Sequence, residues 1–137
     1  MKIHHLSEKN SVLNHFLGEI RDQDIQKDRL RFRRNIERIG EIMAYEMSKE
    51  LHFENREIIT PLGTKKNSVI KDKIIICSIL RAGLTLHNGF LNYFDGAESA
   101  FISAYRKHTT AEDFDIHVEY LASPALDNRV LIISDPM

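Results

Sequence analysis

Apolar positions in the first half of the chain recur every three or four residues. From Asp28 to Leu51 they fall at Phe32, Ile36, Ile39, Met43, Met47 and Leu51, one face of a helix, while Arg33, Arg34, Glu37, Arg38, Glu41 and Glu46 occupy the other. Asp24 and Asp28 precede this run as candidate N-caps, and a shorter amphipathic helix is expected over Val12 to Ile20. Between Arg56 and Val69 the pattern changes. Glu57-Ile58-Ile59-Thr60 is β-like, Pro61-Leu62-Gly63 is turn chemistry and Lys65-Lys66-Asn67-Ser68 is polar, which predicts a hairpin or extended arm. The second half alternates strand and helix. Lys73 to Leu80 is a β-branched run of the kind buried on both faces of a parallel sheet. Leu84 to Phe94 has helical spacing, Ala97 to Tyr105 is a second strand, Glu112 to Leu121 an antiparallel excursion, and Arg129 to Ser134 a third buried strand. This order predicts an α/β fold with a right-handed βαβ core.

Length and composition narrow the class. The chain has 137 residues, about one domain's worth, with 42% hydrophobic and 28% charged positions, ordinary values for a globular protein. We divide it into N-terminal helices (1–55), a β-arm (56–72) and the βαβ core (73–137). Nineteen Lys and Arg oppose twenty Asp and Glu, giving a net charge of −1, so no nucleic-acid partner is expected. The apolar run Ile74-Ile75-Ile76-Cys77 is broken by Ser78, far short of the ~20 residues of a membrane span. The single cysteine, Cys77, suits a reducing cytoplasm. Because the chain stops at Ser134-Asp135-Pro136-Met137, directly after a strand patterned for burial, we expect the C-terminal part of the fold to be missing.

Ligands of open α/β sheets bind beyond the carboxyl ends of the strands. Arg81-Ala82-Gly83 follows the first core strand, Arg106 the second and Asp135 the third. Two guanidiniums and a carboxylate suit a phosphorylated, hydroxylated substrate, because arginine binds phosphate through paired charge-assisted hydrogen bonds. Gly83, without a Cβ, would admit close approach of backbone N–H groups to phosphate oxygens. The seven histidines form no His-x-x-x-His pair, so no protein metal cage is expected; His108, near Arg106, is a candidate neighbour of the phosphate. Cys77 reads as a core residue, and the basic cluster Lys27, Arg29, Arg31, Arg33 and Arg34 as a solvated helix start.

Ile79-Leu80-Arg81-Ala82-Gly83, Ala104-Tyr105-Arg106 and Ile133-Ser134-Asp135-Pro136-Met137 resemble the motif series of the uracil phosphoribosyltransferases, as do Leu17-Gly18-Glu19-Ile20-Arg21-Asp22-Gln23-Asp24 and Thr60-Pro61-Leu62-Gly63. The resemblance implies a type I phosphoribosyltransferase-like parallel sheet flanked by helices. It also implies transfer of phosphoribosyl from phosphoribosyl pyrophosphate (PRPP) to uracil, giving UMP and pyrophosphate in pyrimidine salvage. By position it makes Arg81, Arg106 and Asp135 the catalytic set, with Ala82, Gly83, Pro136 and Met137 lining the PRPP site. Magnesium bound mainly through PRPP and water, and a homodimer or higher homo-oligomer, belong to the same implication. The family pattern continues past Asp-Pro-Met into a phosphate loop and a uracil-recognising segment, so the 137-residue chain alone is expected to be inactive. The rival reading is a non-catalytic regulatory protein that senses PRPP or a nucleotide on the same fold.

Overall fold

The structure, a computed structural model, describes residues 2–108 and 114–136, and for 106–108 and 114 the backbone only. Two helices open the chain, α1 (Val12–Arg21) and α2 (Arg29–Ser48). Ser11 caps α1 through a reciprocal pair with Asn14, and the Asp28 carboxylate accepts from the N–H groups of Leu30 and Arg31 to start α2. Asp24 makes no such cap; its carboxylate takes Lys27 instead. Two arginines of the basic cluster are partnered in the same way, Arg31 with Glu19 and Arg34 with Glu37.

The buried stripe of α2 differs from the one its apolar spacing predicts. Its most enclosed positions are Asn35, Ile39, Gly40 and Ala44, whereas Met47 is exposed. The cause is a close helix crossing. A Cβ on Gly40 would lie 2.7 Å from the Leu86 carbonyl oxygen, and one on Gly89 would lie 2.2 Å from that of Glu37. Backbone-to-backbone contact centres the burial of α2 on its small residues, with Ile36, Ile39, Met43 and Leu51 of the expected face packed on the core beside them.

The hairpin is longer than its sequence pattern suggests. Strands β1 (Phe53–Thr60) and β2 (Gly63–Ile70) pair antiparallel from Phe53↔Ile70 to Thr60↔Gly63, around Pro61-Leu62. The core sheet has the order β5-β4-β3-β6, built from β3 (Ile74–Leu80), β4 (Glu98–His108), β5 (Phe114–Ala122) and β6 (Val130–Ser134). Strands β4 and β6 flank β3 in parallel, and β5 pairs antiparallel with β4. The sheet is therefore mixed, parallel over three strands and antiparallel at one edge.

Helix α3 (Gly83–Leu91) connects β3 to β4 and packs on β3 and β6, with α2 behind it and α1 behind α2. Ile74, Ile76 and Ile132 meet Leu86 and Phe90 in the main core, each large side chain there contributing roughly 1.5–3 kcal/mol of burial. Ile75, Cys77 and Ala100 form a smaller cluster. Strand β3 is buried on both faces as its composition predicts. Strand β6 is not: Ile132 and Ser134 are enclosed, but Leu131 and Ile133 are 41% and 61% exposed, because β6 is the edge of the sheet. Among the described residues, no helix is long and apolar enough to cross a membrane.

Candidate functional site

The three adjacent parallel strands deliver the expected residues to one end of the sheet. Ser78 and Ser134 are the last paired residues of the β3–β6 ladder, so Asp135 emerges one residue beyond it and Arg81 three. The Leu80–Arg81 peptide is cis, and Arg81 and Ala82 are exposed at the turn into α3. The first turn of α3 has no side-chain cap, and the Leu84 N–H closes back on the Arg81 carbonyl at 3.3 Å. Uncapped N–H groups and the positive end of the helix dipole thus begin at the turn that carries Arg81, a favourable setting for an anion. Asp135 is exposed and Pro136 half-buried; Met137 lies outside the described residues.

Two expectations change here. Arg106 does not follow its strand but stands inside it. Strand β4 runs on to His108 because β5 pairs with it past the end of β3, and Arg106 is matched with Ile116. Of Arg106 and His108 only the backbone is described, so their side chains lie outside the account of the site. Gly83 is buried, and its missing Cβ serves packing. A Cβ there would come 2.6 Å from the Ser134 carbonyl oxygen and 3.3 Å from the Ser78 Cβ. The glycine lets the start of α3 lie directly on the ends of β3 and β6.

Beneath these ends runs a chain of hydrogen bonds that sequence reasoning missed, buried from Ser134 to His87 and ending at the exposed Ser99. Ser134 Oγ is 2.5 Å from Ser78 Oγ, which is 2.7 Å from His87 Nδ1, and His87 Nε2 is 3.0 Å from Ser99 Oγ. The Phe101 ring lies 5.1 Å from the imidazole, tilted by 33°. Burial holds the His87 pKa below the usual histidine range. One signal was legible: a serine, Ser78, interrupting an otherwise apolar strand. Ser78 is enclosed completely, which removes it as a nucleophile for any bound substrate.

The uracil phosphoribosyltransferase family model matches residues 7–137. This chain belongs to the uracil phosphoribosyltransferase family. Proteins of that name from two strains of Porphyromonas gingivalis are 58% identical over 137 residues, all of this chain and 63% of each relative. The Methanothermobacter thermautotrophicus protein of the same name is 37% identical over 130 residues, 93% of this chain and 59% of the relative. The structure of the AQ2163 protein from Aquifex aeolicus superposes with a TM-score of 0.81 at 26% identity, covering 93% of this chain and 60% of that one. The chain thus spans a little under two thirds of the length of the relatives it matches.

Within the uracil phosphoribosyltransferase motif series, the Leu17–Asp24 segment has a structural part. Glu19 accepts from Asn35 Nδ2 at 2.6 Å and from Arg31 Nη1 at 3.0 Å, which holds its carboxyl below the usual range, the Asn35 bond foremost. Asp22 accepts from the N–H groups of Asp24 and Ile25 and shapes the turn toward α2. A cleft of about 490 Å³ between Asp72, Tyr93 and Arg129 lies at the opposite end of the sheet, where the strands begin, away from these motifs.

Proposed function

We propose that the intact protein transfers the phosphoribosyl group of PRPP to uracil, giving UMP and pyrophosphate in pyrimidine salvage. One observation carries the reading: three neighbouring parallel strands, β4, β3 and β6, bring Arg106, Arg81 and Asp135 of the family motifs to the same end of the sheet. Arg81, with the Ala82-Gly83 turn and the start of α3, meets the pyrophosphate, and Arg106 meets it from β4. Asp135 accepts from the ribose hydroxyls, with Pro136 and Met137 leading into the 5-phosphate site. As the bond from C1′ to the pyrophosphate oxygen breaks, its electron pair passes to the leaving group and the ribose becomes oxocarbenium-like. The two guanidiniums stabilise that growing negative charge, a contribution of roughly 3–4 kcal/mol for a well-placed donor. Uracil N1 bonds to C1′ and its proton passes to water or to the departing pyrophosphate; the nucleophile is the base itself, and no side-chain nucleophile takes part.

A divalent cation such as magnesium would be held mainly through the pyrophosphate's oxygens and water, with the Asp135 carboxylate the acidic side chain among the strand-end motif residues. When bound, it neutralises charge on the leaving group. We further assign the protein to the cytoplasm and to a homo-oligomeric state, which the lone buried Cys77 and the exposed apolar side chains of the hairpin, Ile59 and Leu62, support.

The test is Arg106→Lys in the intact protein. We expect a higher PRPP KM and turnover lowered about 10²–10³-fold, with the melting temperature unchanged. Wild-type formation of radiolabelled UMP by this variant would remove Arg106 from the site. PRPP binding without any UMP formation by the parent protein would overturn the transferase reading.

A further inference from the structure

The chain of polar side chains runs from Ser134 through Ser78 and His87, all inside an apolar core, to Ser99, which is exposed. Ser78, Ser134 and His87 are 0%, 1% and 2% exposed, while Ile76, Ile132, Leu86 and Phe90 pack in the same helix–sheet layer. Three apolar side chains would fill this space, and each buried polar group left unpaired there costs about 1–3 kcal/mol. All of them are paired: no buried side-chain nitrogen or oxygen among the described residues lacks a partner. A neutral imidazole satisfies the whole chain: one ring nitrogen accepts and the other donates, and the hydroxyls of Ser134, Ser78 and Ser99 can each take either role to match it. Apolar contact is non-directional, whereas such a chain fixes the distance and angle between the elements it joins.

The elements joined are those that carry the site. Ser134 immediately precedes Asp135, Ser78 lies three residues before Arg81, and His87 belongs to the helix that begins right after Arg81-Ala82. Gly83 lets that helix close onto the Ser134 carbonyl, so backbone contact and side-chain hydrogen bonds act on the same pair of strand ends.

We infer that His87 is a positioning residue: through Ser78 and Ser134 it sets the separation of Arg81 and Asp135, and hence the fit of PRPP between pyrophosphate and ribose. The inference rests on the function proposed above. It concerns PRPP and not uracil, because neither strand end it braces is assigned to the base.

Steady-state UMP formation by the intact protein tests it, with PRPP and uracil varied separately. We expect His87→Leu and Ser134→Ala each to raise the PRPP KM about 10- to 100-fold, the scale of a small misplacement of binding groups. Uracil KM should stay within about twofold, since uracil does not touch the braced ends. Phe90→Leu serves as the packing control: it thins the same helix–sheet layer and should lower the melting temperature without moving the PRPP KM. Ser134→Ala removes a single oxygen, so it keeps the test open if His87→Leu fails to fold. An unchanged PRPP KM in a folded Ser134→Ala protein overturns the inference and leaves the proposed function standing. An equal rise of KM in Phe90→Leu also overturns it, by reducing the network to general packing. A parent protein that neither binds PRPP nor makes UMP overturns the proposed function, and the inference with it.

Discussion

Strand β3 and the β1–β2 hairpin are built from segments of similar length, yet they use their side chains in opposite ways. The first five residues of β3 are buried, and its neighbours on both sides are parallel strands with α3 laid across one face. The hairpin exposes most of both strands, Ile59 almost completely, and among the described residues it packs on no other strand or helix. Its backbone ladder is complete, but a lone two-stranded ribbon has little apolar burial to hold it. Hydrogen-bonded pairing therefore makes a strand, and layering makes it stable. The candidate site is mounted on the layered region, where strand ends are held from behind by a helix.

The largest expected effect tests that layering at its tightest point. A Cβ on Gly89 would meet the Glu37 carbonyl oxygen at 2.2 Å and the Gly40 Cα at 2.9 Å, both backbone atoms that cannot swing aside. Replacing a mid-helix glycine by alanine ordinarily gains about 0.5–1 kcal/mol. Overpacking costs up to about 3 kcal/mol. The clash wins, so Gly89→Ala should destabilise by about 2 kcal/mol in urea unfolding. Gly18, in the middle of α1, has nothing within 4 Å of a would-be Cβ, and Gly18→Ala should instead stabilise by up to about 1 kcal/mol. Two like substitutions with opposite signs would show that the α2–α3 crossing, and not helix propensity, sets the stability of the core. Equal signs would refute that.

These same positions mark what the sequence makes legible. Helices, hairpin and the three parallel strands are written locally, the helices in apolar spacing, the hairpin in turn chemistry and the core strands in continuous apolar runs. The strand-end residues follow from that order. Close approach leaves no periodic trace: Gly40 and Gly89 matter through absent atoms, and their partners lie some fifty residues apart in sequence. The Ser78–His87–Ser134 chain leaves one trace, a serine inside an apolar strand, but its partners are supplied by the tertiary fold. The position of Arg106 inside β4 depends on how far β5 pairs with it, a register that the polar–apolar alternation of β5 leaves open.

A smaller effect reads the buried histidine through pH. Burial lowers the folded-state pKa of His87 below its ordinary 6.5, while in the unfolded chain it returns to that value. Between the depressed folded value and about 6.5 the unfolded state therefore binds the extra proton, and stability rises with pH. Its contribution is complete above about 6.5 and is lost as pH falls through the folded value, with a slope of at most about 1.4 kcal/mol per pH unit for one proton. Denaturant titrations at a series of pH values between about 4 and 7.5 would measure it. His87→Gln should flatten this part of the curve. An undiminished slope in the variant would assign the linkage to other groups.

The smallest effect on global stability belongs to the hairpin, and its smallness is the point. Gly63 closes the β1–β2 turn with φ +128, a backbone conformation that L residues rarely adopt, although a Cβ there would meet nothing within 4 Å. Thr60 Oγ1 donates to the Gly63 carbonyl at 2.7 Å and accepts from the Leu62 N–H at 3.3 Å, so the turn has its own local bracing. Gly63→Ala imposes strain of about 1–3 kcal/mol, enough to open a ribbon that packs on no other element. A free-standing ribbon passes little of that strain to the layered core. Amide exchange should therefore quicken along Phe53–Thr60 and Gly63–Ile70 while Ile74–Leu80 keeps its protection, and the global unfolding free energy should move by less than about 0.5 kcal/mol. If β3 loses protection together with the hairpin, the two regions unfold as one unit and the division between ribbon and layered sheet does not hold. If neither changes, the turn accepts a side chain at this φ and the strain argument fails at Gly63.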